Sequence, residues 1–515
     1  MYARAVIHRS RQPDVPLPEV DFSTFVLDKP RMLAGKVALI DAVRGTQLTF
    51  GELTEHIDAT AAGLAEQGLQ SGQTAAICGF NTIDYAVAAH AVWRAGAVVV
   101  TMNPLFTARE MREELADSGA SLVLAATEVM DRVGEAGAER LIPLDALPRA
   151  SRTLPAARVQ PDETALILYS SGTTGLPKGV MLTHRNLIAS VQQLEAGDLS
   201  REDDRLIAIS PFFHVVGLHG ILNLGLYTGA GIVLLQRYEL RRFLAAVQEH
   251  RVSSAFLIPP VLLDVAKNPA VKDFDLSSLR SILCAAAPLA PQVEQECAEI
   301  LGCIVKQGWG MTEACGPATT VLNDNIRRGS VGPPVPNTEC KVVDPVSGRE
   351  LGPGETGELL IRGPQVMKGY LNQPEATADT LEPDGWLHTG DLGYGDEDGC
   401  LYIVDRLKEV IKYKAYQVAP AELEAVLLSH PAVADAAVIP RPDEDAGEIP
   451  KAFVVLRSAV DEQELLAFVA ERVAPYKKIR ALELTDAIPK SPSGKILRRV
   501  LIERERAGVS SALEG

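Results

Sequence analysis

Apolar and polar positions along this chain fall into two textures. From about Val37 to residue 325, short runs that are almost wholly apolar, at 74–77, 98–101, 121–125 and 165–169, alternate with longer stretches such as 85–95 and 109–118 that read as helices. Apolar runs of that length suit strands buried on both faces. Their alternation with helices predicts an α/β unit with a mostly parallel sheet. The stretch 219–236 is the most apolar, but Asn223, Gly225, Tyr227, Gly229 and Gly231 interrupt it, so it predicts a buried helix plus a strand and no membrane span. Near residue 325 the texture changes. Gly332, Pro333, Gly348, Gly352, Gly354, Gly363 and Pro364 punctuate short strands, which predicts a hairpin-rich β region. After Asp405 comes a compact segment with a strand at 409–413, a helix at 420–428 opened by Pro420, a strand at 433–439 and a helix at 461–473. In that last helix Leu465, Phe468, Val469 and Val473 share one face. The spacing therefore divides the chain into 1–405 and 406–515. Residues 1–30, with Pro13, Pro16 and Pro18, read as an irregular leader.

Composition narrows the function classes. Lys plus Arg number 50 against 67 for Asp plus Glu, a net charge of −17. That sign argues against binding nucleic acid as a polymer, which needs a basic footprint to displace phosphate counterions. It leaves room for a small anion held by a local cluster of cations. The seven cysteines form no CxxC pair and the nine histidines no HExxH spacing. This suits reduced thiols in a cytoplasmic enzyme better than a disulfide framework or a zinc site. The opening residues carry no apolar segment of the secretory kind.

The strongest chemical signal is the string YSSGTTGLPKG, from Tyr169 to Gly179. It follows a predicted strand directly. Glycines permit close backbone approach, while the hydroxyls of Ser170, Ser171, Thr173 and Thr174, the N–H groups around Gly172 and the ammonium of Lys178 can wrap polyphosphate oxygens. The Walker pattern does not fit, because Gly179 follows the lysine. Further along come QGWGMTE from Gln307 to Glu313, WLHTGD ending on Asp391, YIVDR ending on Arg406, RLKEVIKYKAYQV from Arg406 to Val418, and PKSPSGK ending on Lys495. A carboxylate beside a hydroxyl in a glycine-rich turn, as at Thr312–Glu313, is the hard-oxygen donor that Mg²⁺ accepts when phosphates complete its shell.

Taken in order, these motifs resemble the ANL superfamily of adenylate-forming enzymes, nearest to the 4-coumarate/cinnamate CoA ligase branch, over residues 35–500. The resemblance implies a large N-terminal adenylation domain (1–405), built of parallel α/β subdomains with a β-barrel-like one, and a small mobile α+β domain (406–515). It implies an ATP-, Mg²⁺- and CoA-dependent ligase that joins a small carboxylic acid to a thiol through acyl-AMP. In that scheme Ser170, Ser171, Gly172, Thr173, Thr174 and Lys178 grip phosphates. Ala286, Gln307, Gly308 and Trp309 flank the adenine. Thr312 meets the α-phosphate, Glu313 holds the metal, and Asp391 and Arg406 hold the ribose. Lys495 bridges substrate carboxylate and α-phosphate. Lys408 is the hinge, Lys412 and Gln417 face the site in the second half-reaction, and Arg237, Ala415 and Tyr416 line the CoA path. His214, Val216, Gly217, Leu283 and Gly310 bound the acyl pocket.

Two positions depart from the branch. Hydroxycinnamate ligases meet the ring hydroxyl with a Tyr and a Lys where this chain has Val216 and Leu283, which points to an acid without a para-hydroxyl: cinnamate-like, benzoate-like or medium-chain aliphatic. Ala415 replaces the usual Gly. It keeps open an acyl-AMP ligase that loads a separate carrier protein, beside the more distant alternative of a non-catalytic binder. Trp309 stands where relatives carry Tyr and forfeits the phenol hydroxyl.

Overall fold

A computed structural model describes residues 6–152, 154, 159–170, 177–287, 289–323, 325–414, 416–443, 446–491 and 494–513. Two seven-stranded sheets form its bulk. One runs Ile304–Gln307, Ser281–Cys284, Ser254–Leu257, Arg205–Ala208, Gly231–Leu234, Val37–Asp41 and Thr46–Thr49; the other runs Gly369–Tyr370, Lys178–Thr183, Thr164–Ser170, Val98–Met102, Thr74–Cys78, Leu122–Ala125 and Leu141–Pro143. Their inner pairs are parallel, as the unbroken apolar runs predict, and antiparallel strands close one edge of each. Helices Phe50–Glu66, Ile83–Arg94 and His184–Ala196 contribute to one apolar core that spans both sheets.

Local chemistry sets these helices. Thr49 with Glu52 forms a capping box on helix Phe50–Glu66, Thr107 with Glu110 forms one on helix Ala108–Ser118, and Gly119 ends the latter in the left-handed conformation. Thr183 caps helix His184–Ala196, and the Asn186 side chain reaches on to the carbonyls of Pro364 and Val366 at 2.8 and 2.9 Å. That pair of bonds ties the helix after strand Lys178–Thr183 to the loop before Tyr370. The apolar stretch 219–236 becomes a π-helix Val216–Asn223, a helix Leu224–Thr228 and a strand Gly231–Leu234.

The β region past residue 325 is antiparallel: His8–Arg9, Glu339–Val343, Gly357–Arg362, Leu387–Gly395 and Leu401–Arg406, in that order. The last segment carries its own sheet, Tyr416–Val418, Ile411–Tyr413, Gly447–Leu456 and Val433–Asp443, with Ala481–Leu484 parallel to Gly447–Leu456. Its helices are Pro420–Ser429, Glu462–Ala470 and Arg498–Leu513. Among the described residues no helix is long and apolar enough to cross a membrane.

The leader differs from the sequence expectation. His8–Arg9 pairs with Cys340 and Glu339, and Phe22–Asp28 is a helix whose N-cap Asp21 accepts the Thr24 N–H. Phe22, Val26 and Leu27 are buried, and Phe22 meets the Trp93 ring edge-on at 5.0 Å. A single two-turn helix supplies too few apolar repeats for its period to be read from sequence. The helix expected at 461–473 also stops at Ala470, three residues early, and the strand at 433–439 runs on to Asp443 because Gly447–Leu456 pairs along its whole length.

Candidate active site

The strands Thr164–Ser170 and Lys178–Thr183 form a hairpin closed by the pair Ser170 and Lys178. Ser171, Gly172, Thr173 and Thr174, at its tip, lie outside the described residues. Beneath the tip, Ser170 Oγ donates to Glu313 Oε1 at 3.1 Å, and Tyr370 OH donates to the same oxygen at 3.0 Å. Glu313 is buried, its backbone carbonyl accepts from Met367 N–H, and among the described residues Oε2 has no hydrogen bond. Lys178 Nζ lies 4.7 Å from the centroid of the Tyr370 ring. Tyr370 thus serves both charges, and nothing in its sequence surroundings singled it out. Thr312 is half-buried at the start of the turn Thr312–Ala314.

A second cluster centres on Asp391. Asp391 and Arg406 are register partners on adjacent strands, and Arg406 Nε lies 2.9 Å from Asp391 Oδ1. The other oxygen accepts the indole N–H of Trp309 at 2.8 Å. Trp309 therefore does more than stack: its ring nitrogen holds the carboxylate. Burial pushes the Asp391 carboxyl up, and Arg406 and the indole N–H oppose it. Gly310, next to Trp309, pairs with Pro317 so closely that a Cβ would come 1.8 Å from the Gly316 oxygen, which explains glycine there without a pocket role.

Gln307 is buried, and its amide is committed: Nε2 donates to Leu289 O and Glu294 Oε2, and Oε1 accepts Leu289 N–H. It shapes the segment before it. Ala286 in that segment is exposed with φ +75°, a strained conformation for a residue with a Cβ. Gly308 sits against Leu283, whose side chain packs on the core and is not among the residues lining the adjacent cavity.

That cavity holds about 360 Å³ and is lined by Leu105, Phe213, Val216, Phe256, Ile258 and Val261, with His214 and Ala286 also on its wall. Gly217 follows Val216 in the π-helix and is buried. Of the polar residues lining it, Asn81 spends its amide on the Ala208 and Ser210 carbonyls and the Phe212 N–H, and the Tyr238 hydroxyl bonds Asp264. Burial drives the His214 imidazole down to about 4, so it is neutral near pH 7. Its Nδ1 accepts the Val216 N–H at 3.3 Å, which assigns the proton to Nε2. Arg237 lies at the cavity edge with its guanidinium 5.0 Å from the Phe80 ring.

The small segment reaches this place through one loop. Lys495 interacts electrostatically with Arg406, Glu409 and Asp391. Burial first, and the Arg406 charge second, pull its ammonium below the usual lysine range. Gly494 (φ +82°) is pressed on the cavity wall, where a Cβ would overlap Ile258 Cδ1. Elsewhere in the segment Lys412 and Lys408 are exposed, and Tyr416 stacks on Tyr476 at 4.4 Å. Ala415 and the Gln417 side chain lie outside the described residues.

Known proteins resemble this chain over most of its length. The AMP-binding enzyme profile matches residues 28–371, and the AMP-binding enzyme C-terminal domain profile matches 422–495. 4-coumarate–CoA ligase 5 of Oryza sativa subsp. japonica is 42% identical over 98% of both chains. Peroxisomal OPC-8:0-CoA ligase 1 of Arabidopsis thaliana is 39% identical over 96% of this chain and 95% of its own. ATP-bound MatB from Rhodopseudomonas palustris superposes with a TM-score of 0.87 at 28% identity, covering 95% of this chain and 99% of that one; its apo structure gives 0.78 over the same shares. The chain belongs to the AMP-binding enzyme family.

Proposed function

We propose, from this membership, that the protein is an AMP-forming acid–CoA ligase whose residues 1–405 adenylate a carboxylic acid and whose residues 406–515 turn to exchange one half-reaction for the next. The observation that carries it is Lys495, brought by the smaller segment against the Asp391–Arg406 pair. A near-terminal ammonium has no structural need for a ribose-type clamp. It has a catalytic one when a nucleotide lies between them.

In the first step the Asp391 carboxylate accepts from the ribose hydroxyls, with Arg406 and Trp309 fixing its orientation. Lys178 and the hairpin tip neutralise the outer phosphates, and Thr312 donates to the α-phosphate. The oxygen donors suit Mg²⁺, because Glu313 keeps Oε2 for a hard cation while Ser170 and Tyr370 hold Oε1. The ion, when bound, screens phosphate charge. The substrate carboxylate attacks the α-phosphorus. A P–O bond forms to the acid, the bond to the β-phosphate oxygen breaks, and pyrophosphate leaves. Lys495 bridges the attacking carboxylate and the α-phosphate, so its charge counts most where negative charge crowds. Rotation about Lys408 then withdraws Lys495 and brings in Lys412 and Gln417. The CoA sulfur, arriving past Arg237 and Tyr416, adds to the acyl carbonyl and AMP departs. His214, neutral, offers Nε2–H at the junction of acyl pocket and nucleotide.

The half-reactions separate the roles. Lys495→Ala should lower acyl-AMP formation by about 10²–10³-fold, the scale of losing a charge-stabilising donor. Thioester formation from supplied acyl-AMP should be nearly unchanged, and equal loss of both would refute the two-pose assignment.

The substrate reading rests on the cavity wall. A mostly apolar wall, on which the Asn81 amide and the Tyr238 hydroxyl are already bonded, rewards an aryl or alkyl chain more than a buried hydroxyl. A panel of acids scored for CoA-dependent AMP release should rank cinnamate, a benzoate or a medium-chain acid above 4-coumarate. Strong preference for 4-coumarate overturns this. The same assay run with CoA and with a carrier protein decides the second reading, which the Cβ at Ala415 supports: acyl transfer to a separate carrier. We place the reaction in the cytoplasm, consistent with seven unpaired cysteines.

A further inference from the structure

The strand Leu401–Arg406 is bound to Leu387–Gly395, with Asp405 opposite Leu392. Asp405 therefore belongs to the larger unit, three residues ahead of Lys408. Its side chain is buried and turns the other way, into the smaller unit: Oδ2 accepts the N–H of Ala421 at 2.9 Å. Ala421 is the second residue of helix Pro420–Ser429. That helix has no cap of its own, since the N-cap is Ala419 and Pro420 has no N–H to offer. The first available donor of the helix, at the positive end of its dipole, is thus met by a carboxylate from across the hinge. The ties after the hinge are different in kind. Arg498 binds Glu409 at 2.8 Å, Glu424 at 2.7 and 2.8 Å and the Val438 carbonyl, all within the smaller unit, so they travel with it.

We propose that Asp405 is a positioning residue, a latch on helix Pro420–Ser429 that holds the small domain in the pose delivering Lys495 and that must let go before thioester formation. The proposal rests on the two-pose reading above. Its geometry follows from the hinge position: Asp405 stays with its sheet when the chain turns at Lys408, Ala421 moves, and the bond between them breaks. The carboxylate then regains water. Burial, offset by the Ala421 N–H and Arg498, pushes its pKa up to about 6 in the latched pose. Release returns that cost, and a latch whose bond and desolvation nearly balance keeps both poses accessible.

The test uses the full-length enzyme and follows each half-reaction alone: pyrophosphate exchange with cinnamate or whichever acid the panel ranks first, and thioester formation from the corresponding acyl-AMP plus CoA. Asp405→Ala should slow exchange by about five- to tenfold, the scale of losing a charged cap, and leave thioester formation equal or faster. Asp405→Asn, which keeps an acceptor but not the charge, should fall between. Because Asp405 touches neither nucleotide nor acid, a residue that merely supports folding would lower both half-reactions together. Parallel loss in both variants, no change in either reaction, or loss confined to thioester formation would overturn the latch. Wild-type enzyme with neither exchange nor thioester formation for any acid would instead overturn the ligase reading itself.

Discussion

At the scale of single residues, burial shifts the protonation of Asp391, His214 and Lys495. Lys495 must be an ammonium to bridge two anions, and burial with the Arg406 charge lowers its pKa in the free enzyme. The sign follows directly. The charged form is present below that lowered pKa and is lost as pH rises through it, so kcat/KM for adenylation should fall on its alkaline side at a pH below that of an ordinary lysine. The profile of kcat/KM reports the free enzyme. Lys495→Arg should remove that limb, because a guanidinium does not deprotonate in this range, though at a lower plateau. A limb that stays in place in the arginine variant assigns it to another group. Residue identity was legible for Glu313, Asp391, Arg406 and Lys495, since each sits in a string whose chemistry is read residue by residue. Tyr370 and Asn81 were not legible. Their roles come from strands and turns far apart in sequence, which bring Tyr370 to Glu313 and Asn81 to the Phe212 N–H. The sequence also undervalued Trp309, because the use of its N–H depends on Asp391 lying 2.8 Å away.

At the scale of elements, the parallel strands were readable because strands buried on both faces are apolar at every position, and a run of that kind carries its own signal. The edges were harder to read. His8–Arg9 is a two-residue strand and Phe22–Asp28 a seven-residue helix, and neither holds a full period of pattern. Yet the helix matters to the fold. Phe22 is fully buried between Trp93 and His219. Phe22→Ala should cost about 3–5 kcal/mol, as deletion of a buried ring does, and lower the thermal midpoint by several degrees. KM for ATP should stay at its wild-type value, because the helix contacts neither Asp391 nor Glu313. An unchanged midpoint would mean that residues before Val37 contribute little to the core. The π-helix Val216–Asn223 belongs here too. Its irregular turn follows His214 directly and carries Val216 onto the cavity wall, the kind of local deformation that helices adopt at functional positions.

At the scale of the whole molecule, a chain of net charge −17 handles a polyanion. Sequence alone suggests that Lys178, Arg406, Lys412 and Lys495 gather against that field. In the fold Lys412 is exposed, Arg406 pairs with Asp391, Lys495 is attracted by Glu409 and Asp391, and Lys178 lies over the ring of Tyr370, whose hydroxyl donates to Glu313. Arg406 and Lys495 are therefore opposed by carboxylates before substrate arrives, which leaves little of their charge for the phosphates of ATP. The missing charge has to enter with the nucleotide. Calorimetric titration should accordingly show ATP with Mg²⁺ binding at least about tenfold more tightly than ATP with EDTA, about 1.4 kcal/mol or more. Because buried pairs are little screened, adding salt to physiological strength should weaken Mg·ATP by no more than about threefold. Equal affinity with and without the metal would show that the protein's own cations suffice. A steep salt dependence would place the decisive charges on the surface, where the acidic majority of this chain would oppose them.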